Sequence, residues 1–214
     1  MFPLAPEGYP FIAAPAVAGV FAWLFGYPLL AAIMVLAAVA CVAFFRDPPR
    51  HSNAPPESVL APADGKVLRV GESPAAMAAA GLPRQISIFM SPANVHVNRA
   101  PVSGRVVEAR YVPGAKLPAF RDKASELNEH SFVIIEGAQG RIAYKQIAGS
   151  VARRVVCDLK PGQDVTRGQR VGIIKFSSRV DLFLPDSAAI CVSPGDLTRA
   201  GVTVVASWNQ PGIS

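Results

Sequence analysis

Two adjacent hydroxyls, Ser177 and Ser178, lie between the apolar run Val171-Gly172-Ile173-Ile174 and the stretch Val180-Asp181-Leu182-Phe183-Leu184. A serine pair on a surface is commonly a turn. These flanks are apolar, however, and carry the pair towards an interior, where a hydroxyl needs a partner. Serine is a poor nucleophile until a base takes its proton, and that base is usually a histidine oriented by a carboxylate. The chain has three histidines, His51, His96 and His130. His96 stands between two valines, a setting that suits a structural histidine as well as a base. Neither the histidines nor Cys41, Cys157 and Cys191 have metal-ligand spacing, so no metal centre is expected. An odd, scattered set of cysteines gives no disulfide framework and points to a reducing compartment.

The elements that must hold these residues read as β. Residues 180–184 are rich in β-formers though they alternate poorly, and Pro185 stops them, which predicts a short buried strand. Residues 85–90, 131–136 and 141–147 are further strand candidates. The pattern Ala-Pro-x-x-Gly-basic-Val occurs at 61–67 and again at 100–106. Two copies are too few for a solenoid and suggest a duplicated hairpin unit inside one sandwich. Residues 161–172 have the turn-rich look of an edge in lipoyl- or biotinyl-type sandwiches. Only 73–80, rich in alanine, reads as helix in this half.

Before Arg46 the chain is different. Residues 11–25 and 29–45 carry no charge and are separated by Gly26-Tyr27-Pro28. The second run is near the lower limit for a membrane-spanning helix, and the first is shorter and contains Pro15 and Gly19. Trp23 and Tyr27 suit an interface, and Arg46, Arg50 and His51 follow, which predicts a membrane hairpin that crosses or dips into the bilayer from the cytoplasmic side. A helical hairpin buried in a soluble core is the alternative. Pro48, Pro49, Pro55 and Pro56 make a stiff linker. The expected division is therefore an anchoring hairpin and junction over 1–50 and a catalytic β-rich domain over 51–214. The net charge of +6 suits an anionic lipid surface. No signature of nucleic-acid binding accompanies it.

Residues 175–185, Lys-Phe-Ser-Ser-Arg-Val-Asp-Leu-Phe-Leu-Pro, resemble the processing site of the short bacterial and archaeal-type phosphatidylserine decarboxylases, Arg-Phe-Gly-Ser-Arg-Val-Asp. Four more blocks resemble that family in order: Phe44-Phe45-Arg46-Asp47-Pro48-Pro49-Arg50, Ala63-Asp64-Gly65, the run from Ser91 through His96-Val97-Asn98-Arg99 to Pro101, and Asp122-Lys123-Ala124-Ser125-Glu126. Glu7-Gly8-x-Pro10-Phe11-Ile12 at the start does so too. The resemblance implies a mainly β fold, a β-sandwich or barrel-sandwich-like body with an N-terminal membrane-associated α-helical hairpin. It implies a proenzyme in which the Ser178 hydroxyl attacks the Ser177 carbonyl, the amide becomes an ester, and elimination leaves a pyruvoyl group on residue 178. The large and small chains of the precursor would stay associated. Asp64, His96 and Ser178 would form the self-cleavage set, with His130 a weaker candidate for the base. The pyruvoyl group, the sole cofactor, would form a Schiff base with the amine of phosphatidylserine and release carbon dioxide and phosphatidylethanolamine at the cytoplasmic face of the cell membrane. Arg46, Arg50, Arg99, Arg105 and Arg179 are candidates to meet lipid phosphate or carboxylate. A homo-oligomer is left open.

Ser177 stands where that family has glycine, so a processing-stalled proenzyme, natural or introduced, is a second reading. Cleavage between two serines is known chemistry in pyruvoyl histidine decarboxylases, which the pair also resembles. A third reading is a non-enzymatic, membrane-anchored lipoyl-like adaptor carrying its group on Lys123. The residues before Lys123, Phe120-Arg121, are not those of a lipoyl site.

Overall fold

A computed structural model describes residues 3–115, 117, 124–149, 154–175 and 178–208. The chain divides into two compact units, Met1–Pro49 and Arg50–Ser214. Arg50 belongs with the second unit, where its guanidinium donates to Asp64 at 2.9 Å.

The first unit is a pair of helices, α1 (Tyr9–Leu24) and α2 (Pro28–Phe44). A short 3-10 turn over Pro6–Gly8 leads into α1. The base of the pair is closed by backbone bonds from Ala5 N to Phe45 O and from Asp47 N to Pro3 O, both 2.8 Å. Counted with that turn, Pro6–Leu24 is 19 residues, long and apolar enough to cross a membrane, whereas Pro28–Phe44 is shorter. Trp23, Leu24, Phe25, Leu29 and Leu36 are all exposed. Helices that are apolar all round need an apolar environment to cover them.

The second unit is mainly β. Its first strands are β1 (Ser58–Leu60), β2 (Gly65–Glu72), β3 (Arg84–Met90), β4 (Val97–Arg99), β5 (Gly104–Val112), β6 (His130–Gly137) and β7 (Gly140–Ala148). They are followed by β8 (Val155–Cys157), β9 (Asp164–Val165), β10 (Arg170–Ile174), β11 (Ser178–Leu184), β12 (Ala188–Ile190), β13 (Leu197–Thr198) and β14 (Val204–Trp208). Short helices α3 (Ala75–Ala79) and α4 (Ala124–Leu127) lie in connections. The sequence pattern anticipates α3 but not α4, whose single turn is too short to leave a periodic signal. An eight-stranded sheet runs β13-β2-β3-β11-β7-β6-β5-β9, and two three-stranded sheets run β1-β14-β12 and β4-β10-β8.

β11 is the central strand and all seven of its residues are buried. Val180, Leu182 and Leu184 enter the main core with Ile86, Ile88 and Tyr144. Phe183 faces the other way and packs on Leu82, Phe132 and Ala143. Burial on both faces explains the poor alternation of this stretch. The strand begins at Ser178, two residues before the apolar run suggests.

The repeated Ala-Pro-x-x-Gly-basic-Val pattern marks an approximate two-fold symmetry of the whole β unit. Strands β4 to β10 form one copy; β1, β2 and β3 with β11, β12, β13 and β14 form the other. The match is residue by residue. In β2–β3 the register runs Val67↔Ile88 and then slips to Arg69↔Ser87; in β5–β6 it runs Val106↔Ile135 and slips to Glu108↔Ile134. Leu60 N donates to Pro101 O at 2.9 Å, and its counterpart Arg99 N donates to Pro62 O at 3.0 Å. Gly168 and Gly201 are equivalent and both have positive φ, +81° and +69°. They meet across the axis, where a Cβ on Gly201 would lie 3.4 Å from the Gly168 Cα.

One copy is inserted into the other. β6 and β7 are joined by an intact hairpin with Gly137 opposite Gly140. Their counterparts β3 and β11 pair in the same register, with Met90 opposite Ser178, but the chain between them leaves to build the entire second copy. Ser178 thus occupies the position that closes the turn in the intact hairpin.

Candidate active site

Ser178 heads β11, fully buried, with Met90 of β3 on one side and Ala148 of β7 on the other. Its hydroxyl donates to Met90 Sδ at 3.3 Å. The same sulfur takes the Nδ2 of Asn98 at 3.7 Å, and that amide also donates to Pro62 O at 3.3 Å. Asn98 Oδ1 accepts from Gln146 Nε2 at 2.8 Å, and Gln146 Oε1 accepts from Ser131 Oγ at 2.6 Å. The side chains of Ser178, Gln146 and Ser131 share the inner face of the large sheet, since they alternate with the residues that face the other way. Ser177 lies outside the described residues, as does Lys123, on which the adaptor reading rests.

His96 immediately precedes β4 and is fully buried. Its backbone O accepts from Ile174 N at 3.3 Å, which ties it to the strand leading into the serine pair. Its Nδ1 lies 2.9 Å from Asn94 O. A carbonyl only accepts, so Nδ1 carries a proton, and Nε2 is the basic atom whenever the ring is neutral. The tautomer is the one a general base requires.

Asp64 is not the partner of His96. Its Oδ2 takes the Arg50 guanidinium and its Oδ1 accepts from Ala200 N at 2.7 Å. The three residues that the resemblance groups together are therefore set on neighbouring segments, but the carboxylate is committed to Arg50 and the backbone. His130 is set apart from Ser178. It pairs with Ile147, which pairs with Arg179, so its side chain faces the outer side of the sheet while Ser178 faces inward. Its Nδ1 is 2.7 Å from Asn128 O. Burial, above all, pushes its pKa below the ordinary histidine value, and Lys145 and Arg110 push the same way against the raising bond to Asn128.

On that outer face Arg179 grips Asp181 with two bonds, Nε–Oδ1 at 2.6 Å and Nη2–Oδ2 at 2.9 Å. Ser125 Oγ donates to Asp181 Oδ2 at 2.7 Å, and Arg179 Nη2 also reaches Ser87 Oγ at 3.2 Å. Arg50 and Arg179 thus each hold a buried carboxylate, and Arg105 is exposed. The pairs were invisible in sequence because their partners are set by strand register.

The two-fold symmetry supplies an internal comparison. The two-fold carries the positions of Asp64, His96 and Ser178 onto Ser103, Glu57 and Gly140, which form a second, symmetry-related mouth. Ser103 Oγ accepts from Arg167 N at 2.9 Å, as Asp64 accepts from Ala200 N. Trp208 N donates to Glu57 O as Ile174 N donates to His96 O. That second mouth is a cleft of about 280 Å³ bordered by Ser103, Gly140, Arg167 and Trp208. It has the same strand register, with glycine in place of the serine and no histidine. Met90, Gln146 and Ser131 carry no sequence signal of a role, and Asn98 is marked only by its place in the His96-Val97-Asn98-Arg99 block; comparing the two copies residue by residue is what separates them from their surroundings.

A sequence profile of the phosphatidylserine decarboxylase family matches residues 38–206. A phosphatidylserine decarboxylase proenzyme of Magnetococcus marinus is 45% identical over 205 residues, covering 94% of this chain and 93% of the relative. One from Solidesulfovibrio magneticus is 44% identical over 205 residues, 95% of each chain. Another, from Chlorobium chlorochromatii, is 42% identical over 187 residues, 87% of this chain and 84% of the relative.

Proposed function

The chain belongs to the phosphatidylserine decarboxylase family, and from that premise we propose that it cleaves itself between Ser177 and Ser178 and then decarboxylates phosphatidylserine through a group made from residue 178. The observation that carries this reading is the Ser178 hydroxyl, fully buried where the β3–β11 hairpin is opened, with His96 in the proton-accepting tautomer on the segment beside it.

In the first step His96 Nε2 takes the Ser178 proton and Oγ attacks the Ser177 carbonyl carbon; His96 hands the proton to the departing nitrogen as the C–N bond breaks and an ester forms. Loss of the Cα proton of residue 178 then breaks the Cβ–Oγ bond and frees the Ser177 carboxylate. Water replaces the nitrogen, which leaves as ammonia, and a ketone remains at Cα. The surroundings fit such a group: the small Ala148 and the soft Met90 thioether leave room for a methyl where Cβ–Oγ stood. Once formed, the group supplies a carbonyl that accepts the substrate's amine and draws electrons from the breaking carbon–carboxylate bond. The chain's own part is to hold that carbonyl at the end of a rigid central strand and to offer His96 as a proton carrier. Asp64 serves at one remove, pinning the 61–64 turn through Arg50 and Ala200, while Pro62 of that turn takes the Asn98 amide.

The apolar helix pair supports attachment to the cytoplasmic face of a membrane, next to the lipid substrate. Intact-mass analysis tests the proposal. Wild-type protein should resolve into residues 1–177 and a chain beginning at 178 that lacks the serine side-chain oxygen, and S178A should remain one piece with no decarboxylase activity. An unmodified serine at that new terminus, or activity in S178A, overturns the mechanism; a wild-type chain that never cleaves restores the stalled-precursor reading.

A further inference from the structure

From the internal symmetry we infer that Asn98 and Gln146 are positioning residues for residue 178, acting through the Met90 thioether; this rests on the self-cleavage proposed above. A buried amide pair has two explanations. Either the fold needs it, or the site does. The symmetry-related positions decide between them: Asn98 corresponds to Val59 and Gln146 to Leu184, and both are fully buried in the same backbone setting. The architecture therefore accepts an apolar pair here, and a polar pair in a core is stabilising only when every group is matched. The symmetry-related mouth that has valine and leucine is the one with Gly140 in place of Ser178.

The bonds run in one direction. Ser131 Oγ–H fixes Gln146 Oε1, so Gln146 must present its NH2 to Asn98 Oδ1. Asn98 then has only its NH2 left for Met90 Sδ. Methionine has three rotatable side-chain bonds and little intrinsic preference for one shape. Tethered by Asn98, its sulfur becomes a fixed acceptor, and the Ser178 hydroxyl is directed to it. A thioether is a weak acceptor. Releasing the hydroxyl to a base costs little, at most a few-fold in rate, whereas loss of alignment at a reacting atom can cost on the order of a hundredfold. Alignment wins, so the chain of amides speeds the first step.

The test grafts the other copy's residues into this one. N98V/Q146L should fold with a melting temperature close to wild type, yet cleave itself roughly tenfold or more slowly, within the range that misalignment permits. Hydroxylamine, which cuts esters, should not restore the rate, because the attack and not the elimination is slowed. M90L keeps volume and removes the acceptor. It should show the same defect, and the triple variant should be no slower than M90L alone, as expected of residues acting through one atom. Wild-type rates for the graft, an additive triple variant, or a graft that fails to fold would each overturn the inference while leaving wild-type cleavage intact. Absence of cleavage in wild type itself would bring down the proposed function and this inference together.

Discussion

Replacing Asp181 by asparagine should destabilise the β unit severely without touching the nucleophile. Asp181 is fully buried and Arg179 is 4% exposed, and two short bonds join them on the outer face of the central strand. D181N keeps the volume and one acceptor for Ser125, but turns an NH2 towards the guanidinium and breaks the buried ion pair. Breaking a buried pair in this way costs about 3–5 kcal/mol, a large share of the roughly 5–15 kcal/mol that holds an ordinary domain together. For a domain of this size each kcal/mol moves the melting temperature by about 2–4 °C, so a drop of roughly 6–20 °C is expected. Melting should be followed by circular dichroism in detergent, in an S178A background so that every sample is one chain. Two controls fix the interpretation. Asp186 pairs with Arg84 at the surface, where the side chains are 76% and 49% exposed, and D186N should change almost nothing. R179M/D181L removes both charges and should melt well above D181N. A D181N melt within a degree or two of its parent would refute the reasoning.

If cleavage occurs as proposed, the two chains should remain together in high salt and separate only on global unfolding, because β11 lies between β3 and β7 and β14 pairs with β1; size-exclusion chromatography checks this. His130 sets a pH dependence: its folded pKa lies below 6.5, so below that value the unfolded chain binds the extra proton first and stability falls as pH falls. H130Q should therefore lose less melting temperature than its parent between about pH 7 and about pH 5, and an unchanged slope would reject the assignment. Deleting residues 1–45 should free the protein from membranes in high salt, since the exposed apolar side chains of α1 and α2 go with them; sedimentation with vesicles would show otherwise.

What the sequence determined by itself was local in origin. A charge-free run, a turn at Gly26-Tyr27-Pro28 and flanking arginines define the helix pair, because helix formation and apolar character are properties of adjacent residues. Strands at 85–90, 131–136 and 141–147 lie within the observed β3, β6 and β7, since β-formers bounded by glycine and proline act over a few positions. The burial of Ser178 could be inferred from its flanks, and the resemblance of five ordered blocks led to the family. Tertiary structure alone decided the partners. Ser178 meets Met90 across 88 residues, Asp64 meets Ala200 across 136, and Gln146 meets Asn98 across 48. Such pairs depend on strand order and register, and a one-residue change of register would send each side chain to the opposite face. For the same reason the sequence left His130 open as a base for Ser178, whereas the ladder turns it outward. The two Ala-Pro-x-x-Gly motifs announced a duplication, but only the paired ladders reveal that one copy interrupts the other's hairpin, and that the reactive serine stands at the interruption.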